Sequence, residues 1–421
     1  MARQKPFRFV HTADLHLDSP LQSLAMRDSN LRNLIDGATR RALSQLVDVC
    51  IDESVDALII AGDLYDGQQK SVKTAAAFSS EMRRLDTSNI PVFLIKGNHD
   101  ARSELTRDLQ LPDNVHYFDG RGTPYKLGDN AAIHGVSFAK PHCHDSLYPK
   151  YRPAISDRYN IGIMHTSLAG SDVHDAYAPC SIEDLKNHGY DYWALGHIHK
   201  RQVYSESPAV VMPGIPQGRD IGESGPRSIT LVTLDGDKPP LLETRAVHSA
   251  EFERVIVTID TAMDWTAVIN ATDSSLLKAR DDCRAEHLIA RPMLTGESSL
   301  HFELIDGRER LLEELKFRCE SHKNIWIDKI VFDLSAPALT DSRTDDEVPV
   351  DQLINPEVLQ STELASVCST ELAALKRLLP ASERTFLGKT EEEQMQWIQD
   401  LLAEGANEVL ARLQIETDHA S

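Results

Sequence analysis

Three short apolar runs in the first hundred residues constrain this chain more than any other feature. They are Phe7–Thr12, Asp56–Ala61 and Ile90–Ile95, each of strand length. Between them lie two stretches patterned for helices. In Leu31–Glu53 the residues Leu34, Ile35, Ala38, Ala42, Leu46, Val49 and Cys50 recur near helical spacing, and Val72–Leu85 reads the same way. Strand, helix, strand, helix, strand implies parallel pairing, because each helix returns the chain to begin the next strand in the same direction. The run Ala57-Leu58-Ile59-Ile60 has no polar alternation, as expected of a strand covered on both faces. Further on, the helices thin out. Val115–Phe118, Ala131–Val136, Tyr159–Met164, Tyr190–Leu195, Ala209–Met212 and Ser228–Leu234 read as short strands. One short helix, Ser181–His188, interrupts them, and Ser181 with Glu183 and Asp184 behind it fits a capped, acidic first turn. Residues 1–250 are therefore expected to form an α/β layer joined to a second, more antiparallel sheet.

Residues 251–335 carry a smaller α+β pattern. Phe252–Ile259, His287–Gly296 and Ile325–Leu334 read as strands, and Ala262–Ala279 and Arg308–Glu320 as helices. Pro337, Pro349 and the cluster Asp345-Asp346-Glu347 mark residues 336–354 as a linker. Residues 355–421 hold two helical segments, about Glu357–Leu379 and Thr390–Leu413, parted near Pro380. Charge follows the same division. Of the net −21, residues 1–250 carry −4 and residues 251–421 carry −17. A freely acting DNA-coating protein would be basic, so composition alone argues against nucleic acid and for two units with different tasks. The six cysteines form no C-x-x-C pair and are widely spread, which favours reduced thiols. No run approaches the roughly 18 apolar residues of a membrane span. The N-terminal residues lack the apolar stretch of a signal peptide. A cytoplasmic protein with no membrane partner is the expectation.

Five motifs lie at or just beyond the ends of predicted strands: Asp14-Leu15-His16, Gly62-Asp63, Gly97-Asn98-His99-Asp100, His165, and Gly196-His197-Ile198-His199. Ligands in α/β sheets collect where strands end in loops, because strand ends are rigid enough to hold several donors around one point. The glycines permit tight turns there. Seven candidate metal ligands result: Asp14, His16, Asp63, Asn98, His165, His197 and His199. Imidazole with carboxylate and amide oxygen, and no thiolate, suits hard-to-borderline divalent cations. Two cations about 3.5–4 Å apart need a shared anionic ligand, and Asp63 is the natural bridge. Singly these motifs are weak: Asp-x-His is commonplace, Gly-Asn-His-Asp suits a turn with a left-handed Asn, and a buried histidine is more often a core residue. The ordered set of five carries the reading.

That set resembles the calcineurin-like metallophosphoesterases over roughly residues 6–245. His11-Thr12-Ala13-Asp14-Leu15-His16-Leu17, Ala61-Gly62-Asp63-Leu64-Tyr65-Asp66 and Gly196-His197-Ile198-His199-Lys200 are most similar to the DNA-repair exonuclease branch, which includes the nuclease component of the SbcCD complex. Pro213-Gly214-Ile215-Pro216-Gln217-Gly218-Arg219-Asp220-Ile221-Gly222-Glu223 resembles its YhaO-like group. The resemblance implies an α/β fold: a two-sheet sandwich flanked by helices, then a small α+β cap module and a C-terminal helical hairpin. It implies Asp14, His16, Asp63 and His199 around one metal, and Asp63, Asn98, His165 and His197 around the other, most often manganese. His99 matches the catalytic histidine, with Asp100 orienting it. Archaeal and eukaryotic relatives carry a histidine shortly after Gly-Asp where this chain has Asp66. No second catalytic histidine is therefore expected, and Asp66 is expected to stay outside the ligand set.

The implied activity is a two-metal-dependent DNA exonuclease or endonuclease in DNA repair. An SbcC-type ATPase partner would supply the grip on DNA that the net charge does not. The C-terminal helices would dock on that partner, although their apolar residues fit a hairpin packed on the protein's own core equally well. Relatives often dimerise through the first domain's helices, which adds a homodimer to the expectations. Lys200 and Arg201 directly follow His199, and Arg219 lies in a Gly/Pro-rich loop; all three are expected to contact substrate phosphates. Two other readings stay open on the residues. One is a phosphoesterase for a nucleotide, cyclic nucleotide or phosphoprotein, whose metal site would look nearly identical. The other is a non-catalytic scaffold, against which the intact ligands and His99 count. The long C-terminal region and the Pro213–Glu223 loop favour the nuclease.

Overall fold

A computed structural model describes residues 5–19, 37–66, 72–102, 111–141, 143–168, 177–322, 324–337, 361–378, 394–403, 405–406 and 409. The chain divides into two compact units, Met1–Arg254 with Ala279–Ile289, and Val255–Lys278 with Ala290–Ser421.

In the first unit, β1 (Phe7–Thr12), β2 (Ala57–Ile60), β3 (Val92–Leu94) and β4 (Val115–Tyr117) pair in parallel in chain order. Helices α1 (Ala38–Asp52) and α2 (Val72–Thr87) make the crossovers. The stretch 31–36, expected to begin α1, lies outside the described residues. A second sheet contains β5 (Tyr125–Leu127), β6 (Ala131–Gly135), β7 (Tyr159–His165), β8 (Tyr192–Gly196), β9 (Gln202–Glu206) and β10 (Ala209–Met212), in the order β5-β6-β7-β8-β10-β9. The chain then returns to the first sheet with β11 (Ile229–Leu234) and β12 (Leu241–Arg245), antiparallel on the free edge of β1.

The second sheet is more parallel than its sequence suggests. β6, β7, β8 and β10 all run the same way, and only the edge strands β5 and β9 are antiparallel. Among the described residues of its crossovers the α-helix is the short α3 (Ile182–Asn187), so the long helical signal that announces parallel pairing is missing. Ser181 caps α3 in a reciprocal box with Asp184: each side chain accepts from the other's backbone N–H. β5, β9 and β12 are partly exposed edge strands that lack an apolar run.

Layering follows from alternation along the strands. Phe7, Phe9, Ile59 and Phe93 point from the first sheet onto Ile133, Ile161, Tyr192 and Val211 of the second. On the first sheet's other face, Val10, Leu58 and Ile60 pack against Leu43, Leu46, Phe78 and Met82 of α1 and α2. Trp193 and Leu195 cover the far face of the second sheet with Leu185 of α3. Strands buried on both faces cannot shift register by one residue without exposing core, so their ends are fixed in space.

A four-stranded sheet lies mostly in the second unit. β13 (Ala250–Ile259), β14 (His287–Glu297) and β15 (Ile325–Ile327) lie in that order, and β16 (Val331–Ser335) pairs with β14 in parallel. The single strand expected over Ile325–Leu334 is thus two, broken where Asp328 N donates to Ala290 O. The unit's helices are α4 (Trp265–Asp282), α5 (His301–Asp306) and α6 (Arg308–Ser321). Most of the expected linker, 338–354, lies outside the described residues, as do residues 355–360 of the expected helical segment. Beyond it, α7 (Thr362–Leu378) and a helical segment at 394–403 bury Leu372 and Ile398 against each other's side, with Cys368, Trp397 and Leu402 around them. Among the described residues, no helix is long and apolar enough to cross a membrane.

Candidate metal centre

All seven candidate ligands lie in the first unit, at or just past the carboxyl ends of β1, β2, β3, β7 and β8. Three triads have their ligand atoms within 4.8 Å of one another: Asp14, His16 and His199; His16, Asp63 and His99; and Asp63, His165 and His197. Asn98 joins the last group, its Oδ1 3.0 Å from His165 Nε2. Asp63 and His16 are each shared by two triads, so the three form one continuous cluster.

The backbone bends sharply to achieve this. Asp14, His16, Asp63 and His197 have φ of 52°, 40°, 52° and 106°, in the left-handed region that non-glycine residues avoid. The turns brace each other: Asp14 N donates to Gly62 O (3.0 Å) and His16 N to Asp63 O (3.1 Å). Gly97 is required by space, because a Cβ there would run into Asp63 Oδ1 and the His165 ring. Backbone donors also aim the carboxylates. His197 N donates to Asp14 Oδ2 (2.9 Å) and His99 N to Asp63 Oδ1 (2.9 Å).

The donor set fits divalent cations. His165 Nδ1 donates to Ala61 O (2.9 Å), which leaves its Nε2 to face Asn98 Oδ1 (3.0 Å) and Asp63 Oδ2 (3.3 Å), free for a cation once its proton is displaced. His199 Nδ1 donates to Glu223 Oε1 (2.6 Å), which leaves its Nε2 facing His16 Nε2 at 3.2 Å. His16 Nδ1 is buried and makes no hydrogen bond. Lone pairs converging on lone pairs are repulsive unless a positive charge lies among them, and imidazole, carboxylate and amide oxygen are what such a cation would take.

Titration directions differ across the set. Burial pushes Asp63 up, but His165, His16 and His99 outweigh it and hold the carboxyl far below the usual range. Burial pushes Asp14 up. Burial also holds His197 down to about 3 and His16 well below its ordinary value. His165 goes the other way: burial opposes its charge, but Asp63 and Asp14 raise it to about 9.

His99 is placed differently from the ligands. Its side chain is 33% exposed, and its Nδ1 lies 3.0 Å from Asp66 Oδ1. The carboxylate that orients His99 is therefore Asp66, not Asp100 as expected from the resemblance. Asp100 is buried and turned away, accepting the backbone N–H groups of Leu64, Tyr65 and Gly97 at 3.0–3.2 Å. Burial, then the nearby Asp63, pushes its carboxyl up to about 6. It is a brace between two loops of the cluster. His99 itself is pushed down by burial and up, by a larger total, by Asp66 and Asp63.

The three expected phosphate contacts separate. Lys200 is exposed. Arg201 is half-buried, and its Nε is enclosed without a hydrogen bond. Arg219 points inward and pairs with Glu223 (2.8 Å). Glu223 went unremarked in the sequence, although it stands in the loop that carries the subgroup resemblance. Asp66 had a signal too, three residues after Asp63 on the same turn.

Comparison with known proteins follows the same division of the chain. A family model described as calcineurin-like phosphoesterase matches residues 7–201, and one described as the middle domain of metallophosphoesterase YhaO matches residues 252–335. The chain is 34% identical over 279 residues to metallophosphoesterase YhaO of Bacillus subtilis, covering 65% of this chain and 68% of that one. It is 26% identical over 270 residues to the DNA double-strand break repair protein Mre11 of Sulfurisphaera tokodaii, covering 60% and 66%. It is 26% identical over 221 residues to one component of the nuclease SbcCD of Staphylococcus epidermidis, covering 46% and 56%. The matched regions thus span between about half and two thirds of these relatives' lengths.

Proposed function

Because the chain belongs to the calcineurin-like metallophosphoesterase family, we propose that it is a two-metal-dependent nuclease that hydrolyses DNA phosphodiester bonds. The observation that carries the hydrolytic reading is the convergence of Asp14, His16, Asp63, Asn98, His165, His197 and His199 on one point, with His99 at its exposed edge. DNA as substrate is supported by relatives named for double-strand break repair and for the SbcCD nuclease. By the same analogy, the partner is an ATPase of the SbcC type, the setting is cytoplasmic, and the cations are manganese.

Asp14, His16, Asp63 and His199 would hold one cation, and Asp63, Asn98, His165 and His197 the other. When bound, such a pair supplies Lewis acidity, lowering the pKa of water and withdrawing charge from phosphate oxygens. The chain's own residues do the rest. Asp63 is fixed by the His99 N–H, so carboxylate and catalytic histidine keep one spacing. Asp66 accepts the Nδ1 proton of His99 and stabilises its charged form. His99 then offers its other nitrogen to the phosphate, neutralising developing charge and protonating the leaving oxygen. Lys200, exposed next to the cluster, attracts the DNA backbone.

The test is manganese-dependent cleavage of labelled linear double- and single-stranded DNA, with bis-p-nitrophenyl phosphate as a generic phosphodiester. His99→Ala should lower turnover by about 10²–10⁴-fold, and Asp66→Asn by less. Cleavage of DNA that persists in His99→Ala would overturn the assignment. Cleavage of the small phosphodiester but not of DNA, even with a partner recovered through residues 335–421, would favour a nucleotide or phosphoprotein substrate.

A further inference from the structure

One carboxylate outside the proposed ligand set is nevertheless delivered to it. Glu223 Oε1 lies 2.6 Å from His199 Nδ1, the nitrogen that faces away from Asp14 and His16. Arg219 holds the same carboxylate: its Nη2 is 2.8 Å from Oε1, and its backbone N donates to Oε2 at 2.8 Å. Arg219 Nη2 is also 3.1 Å from His199 Nδ1. A carboxylate oxygen at 2.6 Å can only accept, so Nδ1 carries the proton and points it to Glu223, and the Arg219 contact is not a hydrogen bond. Arg227 closes the frame, donating to Glu223 O (3.2 Å), Ser224 O (2.8 Å) and His199 O (3.3 Å).

The loop itself is tied to the body of the unit. Gln217 is buried, accepts Ser249 N at 3.0 Å, and donates to Gly218 O and Ala250 O at 2.8 Å each. Ile215 N donates to His199 O at 3.2 Å. One loop, residues 213–227, therefore grips His199 by both its ring and its backbone.

We propose that Glu223 is a positioning residue that locks His199 as the Nδ1–H tautomer and thereby presents its Nε2 lone pair to a cation held with Asp14 and His16. Arg219 is the second member of this clamp, and its guanidinium is committed to Glu223 rather than to substrate phosphate. An imidazole that gives its far N–H to a carboxylate is both oriented and made a stronger ligand, and loss of such a partner typically weakens metal binding by about 10–100-fold. The inference rests on the reading of His199 as a metal ligand, and does not depend on DNA being the substrate.

The experiment is Mn²⁺ titration calorimetry on the full-length chain, stripped with chelator, for wild type, His199→Ala, Glu223→Ala and Glu223→Gln. Glu223→Ala should weaken one of two Mn²⁺ sites by about 10–100-fold and leave the other within about threefold. Glu223→Gln, whose carbonyl still accepts the Nδ1 proton, should fall between wild type and alanine. Nitrogen-15 spectra of the metal-free protein supply an independent reading. The His199 signal, identified by its loss in His199→Ala, should show the Nδ1–H form in wild type and a mixture in Glu223→Ala. If His199→Ala weakens a site but Glu223→Ala does not, the positioning role is overturned while the metal centre stands. If neither does, the ligand assignment of His199 falls first. Equal loss of both sites in the alanine and glutamine variants would also overturn it, since Glu223 would then support the whole loop cluster and not His199.

Discussion

His165 and His199 each give the Nδ1 proton to an oxygen, by different means. His165 is fully buried and gives its Nδ1 proton to a backbone carbonyl, Ala61 O, at the end of a central strand. His199 has a side chain 28% exposed and gives its proton to Glu223, a side chain on a long loop. The His165 imidazole is thus part of the core, whereas the His199 imidazole is held over buried Asp14 and His16 by a loop. A ligand held by backbone can be lost only with the fold. A ligand held by a side chain can be retuned by changing one residue.

The largest test of this contrast removes what the halves share. Asp63→Ala should abolish both Mn²⁺ sites and cut cleavage by at least about four orders of magnitude; one site surviving at wild-type affinity would show that the halves are independent. Next, His165→Ala should destabilise the metal-free protein by about 3 kcal/mol, because it leaves buried carboxylates without their partner, whereas His199→Ala should leave its melting temperature nearly unchanged. Equal shifts would erase the distinction.

The halves should differ in proton demand as well. The His165 imidazole, raised to about 9 by Asp63 and Asp14 against burial, carries a proton at pH 7 that a cation must displace. His197 and His16, held low by burial, need release none. Calorimetry in buffers of different ionisation enthalpy should therefore register proton release on Mn²⁺ binding at pH 7, and affinity should climb with pH until about 9. In the metal-free protein the sign is reversed. A raised histidine stabilises the fold fully below about 6.5, and that contribution is lost as pH rises through about 9. His165→Ala should accordingly flatten the alkaline side of the stability profile. The smallest effect lies outside both halves: Lys200→Ala should reduce the salt slope of DNA binding by about one, and an unchanged slope would remove Lys200 from the DNA contact.

The contrast also separates what was legible in the sequence from what was not. β1, β2, β7, β8 and β10, and the ligand motifs at the ends of the first two sheets' strands, were readable because buried apolar runs end abruptly in glycine, aspartate or histidine. The edge strands β5, β9 and β12 were not, since exposed strands carry no such run. The parallel course of the second sheet was hidden because no long helical pattern lies between its strands. The roles of Asp66 and Glu223 were not legible for a single reason: both act on residues distant in sequence, 33 positions away in one case and 24 in the other. Asp100 is next to His99 in sequence, yet its carboxylate is drawn inward by three backbone N–H groups. Adjacency along the chain says little about side-chain direction once the backbone turns.

The left-handed residues Asp14, His16, Asp63 and His197 have a consequence of another kind. Each such conformation costs about 1–3 kcal/mol, and none serves the sandwich itself. A copy of this chain released from the need to hydrolyse anything would drift toward glycine or asparagine at these four positions and become sturdier as it became inert. Aspartate and histidine at these four positions give up durability for the donor atoms they bring to that end of the sheet.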